Sequence, residues 1–275
     1  MWDRDNMTID YCTYEAYASK KIIVADLDGT LAVSKGPIDR EMGGILCGLL
    51  GHMAIAVISG GEYKQFRLQL VGKLECGATK LAEKLYLFPT NATAFYRFVG
   101  GRWIEQYAER LTDPEKALIT ASIGKALSES GVGVPERSYG ERIEDRGTQI
   151  TFSALGQNAP YEVKSVWDPD AGKRLRIKAV LDRYLPDFQV SIGGTSSIDI
   201  SRKGIDKAYG IRKIEEVLGY GVGDMLYIGD SLFEGGNDYA AKATGVDCVE
   251  VKGPDETKKV LGAIAMGVGA GEHQR

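Results

Sequence analysis

Histidine is nearly missing from this sequence: only His52 and His273 occur in 275 residues, which all but excludes histidine-based triads and histidine metal sites. Cysteine is sparse as well. Cys12, Cys47, Cys76 and Cys248 lie far apart, with no Cys-x-x-Cys pair and no zinc spacing. They read as reduced, mostly buried thiols, and no disulfide framework is expected. Charge of one sign is not in excess: 34 basic against 38 acidic side chains leave a net −4. No basic block of the kind that grips a phosphate backbone is present, so nucleic acid is not an expected partner. Long hydrophobic runs are absent too. The most apolar stretch, Gly43 to Gly61, is broken by His52 and several glycines and falls short of a membrane span. It reads as a helix end, a turn and a buried strand, so no membrane partner is expected. The first twenty residues alternate charge with aromatics and lack a signal peptide's apolar centre, which places the expected protein in the cytoplasm.

What remains is an ordinary globular composition, 44% hydrophobic, long enough for one large domain or two modest ones. Short β-branched runs recur: Ile22 to Ala25, Ile55 to Ile58, Leu85 to Phe88, Met225 to Gly229 and Cys248 to Val251. Continuous apolar runs of this length, separated by helical patterns, predict parallel strands buried on both faces. The expected fold class is α/β, a Rossmann-like parallel-sheet core. Thr112 with Glu115 forms a capping box that opens a helix to about Ser130. A second helix, Ala171 to Leu185, puts Ile177, Val180, Leu181, Tyr184 and Leu185 on one face. Its other face carries Lys173, Arg174, Arg176 and Arg183, read as a solvated stripe. Gly147 to Leu155, Phe188 to Gly194 and Ser196 to Ser201 read as strands. Half-exposed strands alternating with amphipathic helices predict an inserted α+β cap over residues 105–201, with the catalytic core in 1–104 and 202–275. The tail MGVGAGEHQR is expected to be disordered. Gly219 to Asp224, GYGVGD, precedes a strand instead of following one and is a connecting loop, not a dinucleotide loop.

The stretch KIIVADLDGTLAVSKG runs a buried strand straight into Asp26 and Asp28. Asp26 sits where an open parallel sheet presents its ligand crevice. A carboxylate there can attack phosphorus without a base to activate it. It faces a dianion, which demands a cation held by further carboxylates; Mg²⁺ is the expected one. Asp28, in the turn that Gly29 permits, can protonate the leaving oxygen and later activate water. A plain Asp-Gly turn is the alternative. YIGDSLFEGGNDY repeats the design, with Asp230 just past a strand and Asp238 after a glycine-rich turn. Asp238 either joins the metal site or caps a following helix. Ser59, before Gly60-Gly61, offers a hydroxyl and adjacent amides to phosphate at a helix N-terminus, or is a simple cap. Lys207 begins a helix, where the dipole disfavours a cation, so it either answers a negative partner or is a surface lysine.

The four elements in order, DLDGT, Ser59, Lys207 and GDSLFEGGND, resemble the motifs of the haloacid dehalogenase (HAD) superfamily, in the subfamily with an α/β cap after the serine motif. The resemblance implies Asp26 as the phosphorylated nucleophile, Asp28 as general acid and base, and Ser59 and Lys207 as phosphate holders. It implies a metal set of Asp26, Asp28, Asp230 and Asp238, the last acting through water. Within that subfamily the pattern is similar to the eukaryotic-type phosphomannomutases and the sugar phosphatases. LYLFPTNATAFYRFVGGR, IEDRGTQITFSALG, GGTSSIDISRKGIDKAYGI and the GGND ending carry the mutase likeness. Ser197 and Asp199 match positions where that family's cap contacts sugar, and Arg146 matches a cap arginine. Gln157 stands where the mutase pattern carries an arginine on the non-reacting phosphate, a charged bidentate contact that a neutral amide cannot replace. Ser59-Gly60-Gly61 stands where the mutases have Gly-Gly-Ser.

These departures put a magnesium-dependent phosphohydrolase of small sugar or polyol phosphates first, with substrate contacts at Gly60, Arg146, Gln157, Ser197 and Asp199, and a hexose-phosphate mutase as its alternative. A non-catalytic phospho-switch ranks third, since two aspartates in DLDGT and an inserted cap argue for turnover. Relatives with such caps often pair through them, so a homodimer through the cap is an open expectation.

Overall fold

The computed structural model describes residues 14–77, 79–193 and 195–272. Cys12 and His273 lie outside them. The chain divides into two compact units, one carrying residues up to Gln106 and from Asp206 onward, the other Tyr107–Ile205.

The first unit is built on a seven-stranded sheet. Its strands are β1 (Ile22–Asp26), β2 (Ala54–Ile58), β3 (Leu85–Phe88), β4 (Ala94–Val99), β5 (Arg102–Ala108), β10 (Met225–Gly229) and β11 (Asp247–Glu250). They lie side by side in the order β11-β10-β1-β2-β3-β4-β5. β11, β10, β1, β2 and β3 are parallel, and β4 runs antiparallel to β3. Every residue of β1, β2 and β10 is buried, which is why these segments read as unbroken apolar runs instead of alternating ones. Helices α1 (Arg40–Leu50), α2 (Tyr63–Gln69), α6 (Lys207–Leu218), the short α7 (Tyr239–Lys242) and α8 (Pro254–Glu272) belong to this unit. Met42, Leu46, Leu49 and Leu50 of α1, with Val260, Leu261 and Ile264 of α8, pack with Ile23, Ile55 and Ile228 in one core. That packing corrects the expectation for the tail as far as Glu272; its last three residues lie outside the described ones. α8 continues through MGVGAGE because Leu261, Ile264, Ala265 and Val268 keep helical spacing against the core.

Cys47 and Cys76 are joined as a disulfide, against the expectation of reduced thiols. The fold brings a residue of α1 beside the loop before β3 across 29 positions of sequence, and no spacing rule reaches that far. The bond also removes cysteine usage as a ground for placing the protein in the cytoplasm. Among the described residues no helix is long and apolar enough to cross a membrane.

The second unit has a four-stranded sheet, β6 (Ile143–Asp145), β7 (Ile150–Ser153), β8 (Phe188–Gly193) and β9 (Ser197–Arg202), in the antiparallel order β6-β7-β9-β8. Ile150, Phe152, Val190, Ile198 and Ile200 face a core completed by Ile119, Ile123 and Ala126 of α3 (Asp113–Glu129) and Ile177, Val180 and Leu181 of α5 (Gly172–Tyr184). The capping box at Thr112 and Glu115 is present. A short helix, α4 (Tyr161–Trp167), precedes α5. The stripe on α5 is not wholly solvated. Arg174 is buried, its Nε 2.8 Å from Asp168 Oδ2. Although burial opposes it, the Arg174 contact and two backbone N–H groups hold the Asp168 carboxyl below its usual range.

Candidate active site

The carboxyl ends of β1 and β10 bring three carboxylates together. One oxygen each of Asp26, Asp230 and Asp238 lies within 4.8 Å of the others. Asp26 closes β1, and Asp230 follows β10 by one residue. Two glycines make the approach possible. Gly29 has φ +90°, and a Cβ there would lie 2.5 Å from Asp230 Oδ2. A Cβ on Gly229 would lie 2.5 Å from Asp238 Oδ2. Asp238 occupies the first position before α7 but caps nothing with its side chain, so the capping alternative falls. Its carboxylate accepts instead from the Tyr227 hydroxyl at 2.5 Å and from the Ser231 N–H at 3.2 Å.

Lys207 is no surface lysine. Its side chain is 2% exposed, and its ammonium bonds the Asp26 carboxylate, donates to the Ile58 carbonyl at 3.0 Å and lies 3.4 Å from Asp238 Oδ1. Burial lowers an ammonium's pKa, but Asp26 and Asp238 overcome it and hold Lys207 above its usual range. Burial raises the Asp26 carboxyl to about 7; Lys207 opposes the rise, while Asp238 and Asp28 add to it. Asp230 is raised by burial and then by Asp238. Tyr227 is pushed well up by burial and by the same carboxylates, which keeps it a hydrogen-bond donor to Asp238.

Ser59 follows β2 and is buried, three residues ahead of the Glu62 that caps α2. It is therefore not a helix cap. Its hydroxyl accepts from Gly61 N–H at 3.1 Å, and the Ser59 and Gly61 carbonyls are held by the N–H groups of Asn91 and Thr90, both at 2.9 Å. Thr90, Asn91 and Ala92 all have positive φ, between 48° and 66°. Non-glycine residues rarely adopt that conformation, and here they form a tight turn under the Ser59–Gly61 loop. The Asp28 side chain is not in the three-carboxylate group. Its Oδ1 accepts from Lys35 N–H at 2.6 Å and from Gln69 Nε2 at 3.2 Å.

In the second unit, the polar face of the sheet gathers the expected sugar-contacting residues. Asp199 opposes Thr151 and Ser197 opposes Ser153 across β9 and β7. Asp199 accepts from the Thr151 hydroxyl at 2.7 Å, and Arg146 pairs with Glu144 at 2.7 Å and reaches Asp199 at 4.0 Å. Gln157 is tied by its backbone: its N–H donates to Glu141 and its carbonyl accepts from Lys164 at 2.9 Å, while its amide lies 3.5 Å from the Thr151 carbonyl.

A family model described as eukaryotic phosphomannomutase matches residues 42–266. The chain belongs to that family. A phosphomannomutase of Encephalitozoon cuniculi is 29% identical over 92% of this chain and 96% of its own. One of Saccharomyces cerevisiae is 28% identical over 90% and 95%. Among solved structures, a haloacid dehalogenase-like hydrolase from Bacteroides thetaiotaomicron aligns with TM-score 0.59 at 15% identity, covering 89% of this chain and 99% of its own, and so shares the fold. The enzyme is thus a HAD-superfamily phosphotransferase of the phosphomannomutase family, with an acidic group able to hold a metal.

Sequence reasoning missed Tyr227 and Gln69. Tyr227 carried a signal, since a tyrosine inside a fully buried strand needs a partner for its hydroxyl. Gln69 carried none, because the end of an exposed-looking helix gives no hint that its amide turns inward.

Proposed function

We propose that this chain is a magnesium-dependent phosphomannomutase-type enzyme that moves a phosphoryl group on a hexose phosphate through an aspartyl phosphate at Asp26. The observation that carries the reading is the buried Asp26–Lys207 pair, inside a chain matched over most of its length by the phosphomannomutase family. The expectation that put plain hydrolysis first gives way, because relatives named phosphomannomutase along almost their whole length support transfer better than hydrolysis.

Three carboxylates around one ammonium, two of them buried and Asp230 half-buried, leave excess negative charge, and an all-oxygen donor set of this kind fits a small hard dication. Asp26, Asp230 and Asp238 would hold it. When bound, Mg²⁺ supplies charge neutralisation between the nucleophile and the phosphate dianion.

The chain's own groups do the rest. The Asp26 carboxylate attacks phosphorus, the ester P–O bond breaks, and Asp28 gives its proton to the departing oxygen. An acceptor hydroxyl then attacks the aspartyl phosphate, gives its proton to Asp28 and frees Asp26. Lys207 favours the ionised form of Asp26 against the effect of burial and meets phosphoryl charge, and the Ser59 hydroxyl and Gly60 amide face its oxygens. Arg146, Ser197 and Asp199 are assigned to the sugar and its second phosphate.

A second reading, hydrolysis of a sugar phosphate, is favoured by Gln157 and by the Ser59-Gly60-Gly61 order, both of which weaken the grip on a second phosphate. Phosphorus NMR with Mg²⁺ and mannose 1-phosphate, with and without glucose 1,6-bisphosphate and with Asp26→Asn as control, decides the matter. A bisphosphate-dependent 6-phosphate signal supports transfer. Growth of inorganic phosphate alone moves the assignment to hydrolysis, and equal behaviour of wild type and Asp26→Asn sinks both.

A further inference from the structure

Gln69 ends α2, and its side chain is buried, with the residue 5% exposed. Its Nε2 donates to Asp28 Oδ1 at 3.2 Å and to the Gly36 carbonyl at 2.9 Å. Both neighbours can only accept in this arrangement, so the amide is oriented with its nitrogen toward Asp28. The Gln69 carbonyl accepts from Ile38 N–H at 2.8 Å. One residue therefore ties Asp28 to the segment that follows the DLDGT turn.

Two features of this arrangement cost stability. Among the described residues Gln69 Oε1 is buried without a hydrogen-bond partner, and an orphaned buried acceptor keeps its desolvation penalty uncompensated. The other donor to Asp28 Oδ1 is the N–H of Lys35, a non-glycine residue at φ +57°. Such a conformation is unfavourable for a residue with a Cβ and persists where the surroundings impose it. Both unfavourable features converge on one carboxylate oxygen. Methionine at position 69 would fill similar space without the orphan acceptor, so packing does not account for the glutamine. Two protein donors thus occupy Oδ1.

We propose that Gln69 is a positioning residue: it pins Asp28 Oδ1 so that Oδ2 is aimed at the leaving oxygen of the phosphate ester. The inference rests on the phosphotransfer reading above and deepens it. If it holds, loss of Gln69 impairs proton delivery while leaving attack by Asp26 intact. The loss then depends on the leaving group. A phenolate leaves poorly without a proton, whereas 4-nitrophenolate leaves well unassisted.

The test compares wild type, Gln69→Met, Gln69→Glu and Asp26→Asn on phenyl phosphate and 4-nitrophenyl phosphate with Mg²⁺, alongside thermal unfolding of each. General acid catalysis contributes about 10²–10⁴-fold, and misaiming the acid forfeits part of it. The kcat/KM for phenyl phosphate, which reports the steps through release of the leaving group and not the later turnover of the aspartyl phosphate, should fall about tenfold or more in both Gln69 variants, with kcat/KM for 4-nitrophenyl phosphate little changed. Equal loss on the two esters, or no loss in a folded variant, overturns the role of Gln69. Gln69→Glu retains the side chain's size, so it carries the comparison if Gln69→Met does not fold. Wild type releasing neither phenol nor 4-nitrophenol above the Asp26→Asn level, with a hexose monophosphate present as acceptor, overturns the phosphotransfer reading and this inference together, a pattern distinct from failure of the Gln69 role alone.

Discussion

Asp26→Asn should abolish phosphoryl transfer and yet stabilise the metal-free fold at neutral pH. The reasoning starts from burial. Asp26 is 3% exposed, and its carboxyl is raised from 3.8 to about 7, chiefly by burial and against the pull of Lys207. Between those two values the folded protein holds a proton that the unfolded chain has lost. The stability this contributes is fully present below about pH 4 and is lost as pH rises through 7. A gap of about three units at about 1.4 kcal/mol each gives about 4 kcal/mol. Asparagine does not titrate, so the variant lacks that slope. The figure is an upper bound on the gain, because Lys207 loses a partner, although it stays 3.4 Å from Asp238. Asp230 is also raised, but it is present in both proteins and largely cancels in the difference. Urea unfolding of both proteins in EDTA at pH 4 and pH 8 reads the effect directly. Near equality at pH 4 with the variant more stable at pH 8 is the expected result. A difference between the proteins that does not change with pH would refute the electrostatic account of the pocket.

Arg174→Met leaves the buried Asp168 without its cation and should cost about 3–5 kcal/mol in urea unfolding, most of which Arg174→Met with Asp168→Leu should recover. Cys47→Ser opens a loop spanning 29 residues and should cost about 3–4 kcal/mol on a chain-entropy estimate; thiol titration of the unfolded, unreduced wild type should find Cys47 and Cys76 unreactive. Gln157→Arg restores a bidentate charge on the cap and should lower the KM for a hexose bisphosphate about tenfold while leaving 4-nitrophenyl phosphate unaffected, a contrast that steady-state kinetics measures.

The strands were legible because doubly buried strands leave continuous β-branched runs, and all five such runs are strands of the parallel sheet. The two cap helices were legible through apolar spacing and, for α3, its capping box. β4 and β5 were not legible as strands, because Tyr96, Arg97, Arg102, Glu105 and Gln106 mix polarity without a clean alternation. Arg174 was misread because a helical wheel shows which residues share a face but not that Asp168, just before the helix, folds back onto one of them. The disulfide was missed for a related reason: pairing depends on how close two Cα atoms come, here 5.8 Å, and sequence distance says little about that.

At the site, the residues that carry charge were legible and those that aim them were not. Asp26, Asp230 and Asp238 stand in recognisable motifs, yet three carboxylates so close together repel one another, and no motif says what keeps them there. The structure supplies Tyr227 and Ser231 N–H on Asp238, Lys207 between Asp26 and Asp238, and Gly29 and Gly229 where any larger residue would push a carboxylate away. These partners do not neutralise the group; the upward shift of both Asp26 and Asp230 shows that the pocket still disfavours negative charge. A pocket held in that condition gains from any bound dication, because ionising its carboxylates then costs less. The same electrostatic load that makes Asp26 a poor anion by itself would therefore make the site bind metal, and metal binding would make Asp26 a nucleophile at neutral pH.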